Sequence, residues 1–202
     1  MKNNLEKAKD LFQKHNGVLR TSEAVALGIH PRDLYHLRNT GSLESLERGV
    51  YRLTSEPNFS DPDLVVVGKK IPQGVLCLIS ALAHYELTTQ IPHYVYIALP
   101  RRARIPRLAH PPLRCFHYSN ASYEAGIEIV SINAIPTKIY SVEKTLADCV
   151  KFRYKIGMDV VLEALKEYWR KGRTDLDLLF EYAAICRVEK ILQPIMQTIV
   201  SQ

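Results

Sequence analysis

Apolar positions in the first fifty residues recur at helical spacing and then give way to short alternating runs. Leu5, Ala8, Leu11 and Phe12 predict a helix over 5–15, closed by Asn16-Gly17. Val18-Leu19 fit a very short strand. Thr21-Ser22-Glu23 read as a second helix start, with hydroxyls to cap and an acid in the first turn, ending at Gly28. His30-Pro31 open a third helix, with proline where its missing N–H costs nothing, and Gly41 ends it. Leu43, Leu46, Val50, Tyr51 and Leu53, interrupted by Arg48-Gly49, predict a hairpin with a glycine turn. Three short helices followed by a hairpin form the layout of a winged helix, placed at 1–55.

Beyond the polar, proline-bearing stretch Ser55–Ser60 the pattern changes. A short helix holds Leu64 to Val67. Gly74–Ile79 read as a buried strand, and Ser80 as the start of a helix reaching Leu87. Tyr94–Leu99, Leu113–Tyr118 and Ile127–Ile132 read as further strands. From Ser141 the spacing turns helical, over 141–154, 158–170, 174–186 and 187–200, with Pro194 expected to break or kink the last. The expected class is α+β: an N-terminal winged helix-turn-helix, then a larger mixed α/β domain at 60–202 with a helical C-terminal part.

The third helix carries the candidate chemistry. Leu34 and Leu37, three apart, face the first two helices, leaving Arg32, Tyr35, His36 and Asn39 on one outward stripe. In a helix-turn-helix that stripe enters the major groove, where Arg forks onto guanine and Asn onto adenine. Arg38 flanks the stripe as a phosphate contact, and Thr21 and Ser22 at a helix start offer hydroxyls and N–H groups to phosphate. Arg48 at the hairpin tip and Arg52 extend the contacts from the wing. An ordinary solvated helix face would show the same stripe; the preceding helices and the basic tip favour DNA.

Charge sharpens this picture. The 202 residues carry a net charge of +6. Residues 1–60 hold nine Lys and Arg against seven acids and 61–120 seven against three, while 121–202 balance at eleven each. The excess thus lies before residue 121, which favours a polyanionic partner. Arg101, Arg102, Arg104 and Arg107 crowd one loop, which reads equally as a phosphate contact or as a solvated connection. The neighbouring Tyr94, Tyr96, Phe116, Tyr118 and Tyr123 fit core packing better than base stacking.

Other chemistry is poorly supported. Cys77, Cys115, Cys149 and Cys186 lie 34 to 38 residues apart among apolar neighbours, the pattern of buried thiols in a reducing compartment. His110 and His117 flank Cys115, but the intervening prolines favour packing over a metal site. No acid has Lys two residues later, as a nuclease would require, and no P-loop, GxSxG or HExxH occurs. Thr174 with Asp177 reads as a capping box, and Glu143 and Asp148, five apart, do not share a helix face. We expect no active site, no metal and no cofactor. The most apolar window, Val75–Ala83, is far short of the about 20 residues of a spanning helix, and the start lacks a signal peptide's apolar core, so a cytoplasmic protein without membrane partners is expected.

The run Gly17-Val-Leu-Arg-Thr-Ser-Glu-Ala, then Gly28-Ile-His-Pro-Arg-Asp-Leu-Tyr, then Gly41-Ser-Leu-Glu-Ser-Leu-Glu-Arg-Gly-Val-Tyr-Arg-Leu resembles the AbiEi antitoxin family. The likeness continues more loosely through Leu78–Leu87 and Ser141–Asp148. The resemblance implies a type IV toxin–antitoxin or phage-defence setting. There the antitoxin represses its own operon at promoter inverted repeats. Its functional counterpart is a nucleotidyltransferase toxin, opposed without a stable complex, and the C-terminal domain is associated with antitoxicity. The third helix here is less arginine-rich than in many relatives. A stand-alone regulator, or a protein- or RNA-interaction module without a toxin, is the alternative, and oligomeric state is left open.

Overall fold

The computed structural model describes residues 2–57, 59–172 and 174–201, which divide into two compact units. The first comprises residues 1–72 with 107–111 and 131–137; the second comprises 73–106, 112–130 and 138–202. The first thus extends past the expected limit at residue 55.

In the first unit the elements run α1 (Lys2–Lys14), β1 (Val18–Arg20), α2 (Thr21–Ala26), α3 (Pro31–Asn39), β2 (Leu43–Glu47), β3 (Val50–Leu53) and α4 (Pro62–Lys70). The strands form an antiparallel sheet in the order β1-β3-β2, with an irregularity between Ser45 and Glu47. The alternating apolar positions explain the packing. Ala8 and Phe12 from α1, Ala24 from α2, Leu34 and Leu37 from α3, and Leu19, Leu43, Tyr51 and Leu53 from the strands share one buried core. On another side Val18 and Val50 meet Val65 of α4, which is why that helix belongs to this unit.

The second unit contains β4 (Val75–Leu76), α5 (Leu78–His84), β5 (Val95–Pro100), β6 (Leu113–Tyr118), α6 (Asn120–Glu124) and the parts of β7 (Ile127–Ile132) and β8 (Ile135–Tyr140) that lie outside residues 131–137. Five helices follow: α7 (Val142–Lys151), α8 (Arg153–Ile156), α9 (Met158–Arg170), α10 (Leu176–Cys186) and α11 (Glu189–Val200). The sheet order is β6-β5-β4-β8-β7, with β5 parallel to β6, β4 antiparallel to β5, and β4 parallel to β8. A parallel pair needs a crossover of about a dozen residues, and the arginine-bearing segment between Pro100 and Leu113 supplies it.

Several expected boundaries shift. The strand over 74–79 is cut to Val75–Leu76 because α5 begins at Leu78, whose φ is +49°. Ser80 does not start that helix; its hydroxyl accepts the Tyr96 N–H at 2.9 Å. The helix expected over 141–154 ends at Lys151, and α11 runs unbroken through Pro194. Pro194 and Lys190, the residue four earlier whose carbonyl loses its partner, are both exposed residues.

The core of the second unit holds a charged pair. Lys144 and Asp148, one helical turn apart on α7, are both 0% exposed and lie 2.5 Å apart. The ammonium sits 4.0 Å from the Tyr140 ring centroid and 5.0 Å from that of Tyr118. The Cys186 thiol donates to the other Asp148 oxygen at 3.2 Å. Burial pushes the Asp148 carboxyl above its ordinary range against the pull of Lys144. Gly126 is required beside this pair: its φ is +69°, and a Cβ there would lie 2.7 Å from that of Lys144.

The four cysteines are free. Burial holds the Cys77 and Cys149 thiols well above their ordinary range, and burial with the nearby Asp148 pushes Cys186 to about 12. Because the thiolate is the reactive form, the folded protein should take up iodoacetamide slowly. Half-buried Cys115 should be labelled first and the other three only on unfolding, as read by peptide mass spectrometry. Rapid labelling of Cys186 in the native protein would contradict this.

Candidate nucleic-acid interface

The turn between α2 and α3 is built from local chemistry. Gly28, at φ +88°, reverses the chain after α2. Ile29 follows, 5% exposed, and its N–H bonds the Ala24 carbonyl at 2.9 Å. His30 then caps α3: its Nδ1 accepts the Arg32 N–H at 3.1 Å, which leaves the proton on Nε2. Pro31 occupies the first helical position.

This start fixes the rotation of α3. Leu34 and Leu37 are each 2% exposed, whereas Arg32, Tyr35, His36, Arg38 and Asn39 are all exposed, Tyr35 by 51%. The expected stripe is thus assembled as one outward face. The Arg38 guanidinium lies 5.3 Å from the Tyr35 ring centroid and donates from Nη2 to Asn39 Oδ1 at 3.2 Å. Among the described residues, the ion pair of Arg32 is a long 3.9 Å contact with Asp33.

The helix start at Thr21 is organised differently from expectation. Arg20 is the N-cap residue, and its N–H donates to the Glu23 carboxylate at 2.8 Å. The Thr21 N–H and hydroxyl both turn to the Gly49 carbonyl, at 3.0 and 3.5 Å. Thr21 is therefore committed within the fold, and Ser22 is the exposed member of the pair. Partial burial works to raise the Glu23 carboxyl, but the Arg20 N–H and the Lys69 ammonium at 3.3 Å hold it below its ordinary range.

At the hairpin, Arg48 is exposed and Gly49 takes the positive φ of the turn. The Lys70 ammonium donates to the Arg48 carbonyl, tying the tip to α4. Arg52 corrects the expectation of a wing contact. It is 5% exposed, with Nε 2.6 Å from Glu44 Oε1, Nη1 2.9 Å from the Pro57 carbonyl, and its guanidinium 5.4 Å from the Phe59 ring centroid. Its strand alternation turns it across β2 into a brace, and desolvating a charge is tolerable only with such partners.

The remaining basic candidates divide between the units. Arg101, Arg102 and Arg104 are exposed in the second, while Arg107, also exposed, belongs to the first. Of the aromatics near them, Tyr96, Phe116 and Tyr118 are buried, Tyr123 is half-buried, and Tyr94 is 41% exposed. Lys69 and Lys70 were not singled out from sequence. Their signal was a pair of lysines closing an apolar helix, and only the fold shows what they hold. Among the described residues no group of three or more His, Cys, Asp and Glu is placed to hold a metal ion, and no helix is long and apolar enough to cross a membrane.

Known proteins give two points of comparison. The solved structure of the RV2827C protein from Mycobacterium tuberculosis superimposes with a TM-score of 0.58 at 14% identity, covering 94% of this chain and 79% of that one. At that identity the likeness speaks for the fold alone. No protein of curated function matches the sequence. Residues 6–54, which contain the α2–α3 turn, the exposed stripe and the hairpin, match the family model AbiEi_4, described as "Transcriptional regulator, AbiEi antitoxin". Over this N-terminal stretch the chain is similar to the AbiEi antitoxin family of transcriptional regulators.

Proposed function

We propose that the first unit is a winged helix-turn-helix that reads a specific DNA sequence, and that the protein represses its own promoter as the antitoxin of a type IV system. The observation that carries this reading is α3, with Leu34 and Leu37 buried and Arg32, Tyr35, His36 and Asn39 turned outward together. That helix is the second of a helix–turn–helix pair and so the one that enters a major groove. Arg48 at the wing tip contributes a backbone or groove contact beside it, and Ser22 and Arg38 phosphate contacts.

The target is an inverted repeat in the protein's own promoter. Its counterpart is a nucleotidyltransferase toxin acted on without a stable complex, and the antitoxin has no catalytic centre of its own and works within the cytoplasm. A gel shift with the upstream duplex against a random duplex tests the reading. The upstream DNA should bind more tightly, and affinity should fall steeply between about 50 and 200 mM salt as phosphate contacts release counterions. Equal affinity for the two duplexes would overturn sequence-specific repression. A neighbouring gene for a nucleotidyltransferase separates an antitoxin from a stand-alone regulator.

A further inference from the structure

The second unit gathers positive charge at one edge of its sheet. Strands β5 and β6 are parallel, with Pro100 opposite Tyr118, so both leave the sheet at the same end. Crevices outside the carboxyl ends of neighbouring parallel strands are recurrent ligand sites in open sheets. Here the crevice has a volume of about 510 Å³ and is lined by Pro100, Arg101, Arg102, Ser119 and Asn120. Arg101 and Arg102 are exposed, and among the described residues neither has an ion pair. The loop that carries them is held against β6, since His117 Nε2 lies 2.9 Å from the Ala103 carbonyl.

The charge continues along β6, an edge strand of the sheet. Arg114, Phe116 and Tyr118 share one face, spaced by about 7 Å along the strand. Arg114 lies 4.8 Å from the Tyr94 ring centroid, Lys155 5.5 Å from that of Phe116, and Lys151 5.9 Å from that of Tyr118. A cation therefore accompanies each of three successive positions leading to the crevice. Tyr94 is 41% exposed, and Tyr154, beside Lys155 on α8, is 86% exposed with the Arg153 guanidinium 4.2 Å from its centroid.

We propose that this edge binds a single nucleic-acid strand, with one phosphate in the Arg101–Arg102 crevice and others along Lys151, Lys155 and Arg114. Among the described residues that line it, the crevice has no aromatic side chain to enclose the base of a free nucleotide, and the charges run on beyond it, as a polymer requires. Exposed rings beside cations are the platform on which unpaired bases stack. The site is separate from α3 and does not depend on how that helix is read.

Fluorescence anisotropy of the full-length protein with a labelled single-stranded RNA of about 12 nucleotides tests the proposal. Arg101→Ala/Arg102→Ala should weaken binding about tenfold and flatten its salt dependence. Tyr154→Ala should weaken it about fivefold while leaving the salt dependence unchanged. Arg32→Ala should leave strand binding intact. These side chains are exposed, and unchanged thermal melting of each variant confirms that folding is preserved. The proposal fails if the double variant binds the strand normally or loses duplex DNA more than the strand. It fails equally if Arg32→Ala abolishes strand binding, or if AMP competes as well as an equal concentration of nucleotides in the strand.

Discussion

Asp148→Ala is expected to lower the stability of the C-terminal unit by about 3–5 kcal/mol, measured as the midpoint and slope of urea unfolding. The pair is wholly buried, so removing the carboxylate leaves the Lys144 ammonium without its counter-ion. The Tyr140 and Tyr118 rings hold part of that charge, which places the loss toward the lower end. Lys144→Met should cost less, because Asp148, its pKa already raised by burial, can take up a proton. A carboxyl with a folded-state pKa above its unfolded value favours folding on the acid side, so the Lys144→Met protein should lose stability as pH rises through that pKa. Joint replacement by Met and Leu should recover most of the stability, because apolar groups of similar volume carry no desolvation penalty. An Asp148→Ala protein that unfolds at the wild-type midpoint would show that the pair contributes nothing.

Arg32→Ala and Asn39→Ala should each weaken promoter binding by about 1–3 kcal/mol while scarcely changing affinity for random duplex. Arg32 is the freer of the two, its ion pair among the described residues being the long contact to Asp33. Asn39 Oδ1 already accepts from Arg38, so a two-point grip on adenine requires that guanidinium to swing to a phosphate. Arg48→Ala should weaken specific and random binding alike and reduce the salt slope by about one contact. Arg52→Ala separates reading from support: it should lower the melting temperature of the first unit without altering the slope. Quantitative gel shifts over a salt series resolve all four. Unchanged discrimination in the Arg32 and Asn39 variants would remove α3 as the reading element.

The first unit was legible because its signals are local. Gly28, His30-Pro31, Gly41 and Gly49 punctuate elements short enough that apolar spacing alone sets their buried faces. Arg52 escaped because its fate depends on Glu44, Pro57 and Phe59, partners that sequence spacing does not bring together. Beyond the first seventy residues, Asn120–Glu124 and Ile135–Tyr140 went unread as elements. The first is a single short turn, and the second is recognisable only beside β4 and β7. Asp148 was set aside as an acid without a facing partner; its true partner was Lys144, one turn away on the same helix, buried with it. The row formed by Arg114, Lys155 and Lys151 is likewise a product of packing, since a strand and two helices contribute to it.

The tip of the β2–β3 hairpin is tied down on both sides. The carbonyls of Arg48 and Gly49 are occupied by Lys70 and Thr21, which fasten the turn to α4 and to the start of α2. A free hairpin would lose conformational freedom on meeting a duplex, and that loss would subtract from its affinity. Here those two bonds restrain the turn in the unbound protein, so less of that loss remains to be met on binding. Weakening Lys70 would act as a change in entropy rather than in contacts, slowing capture while leaving the contact side chains in place.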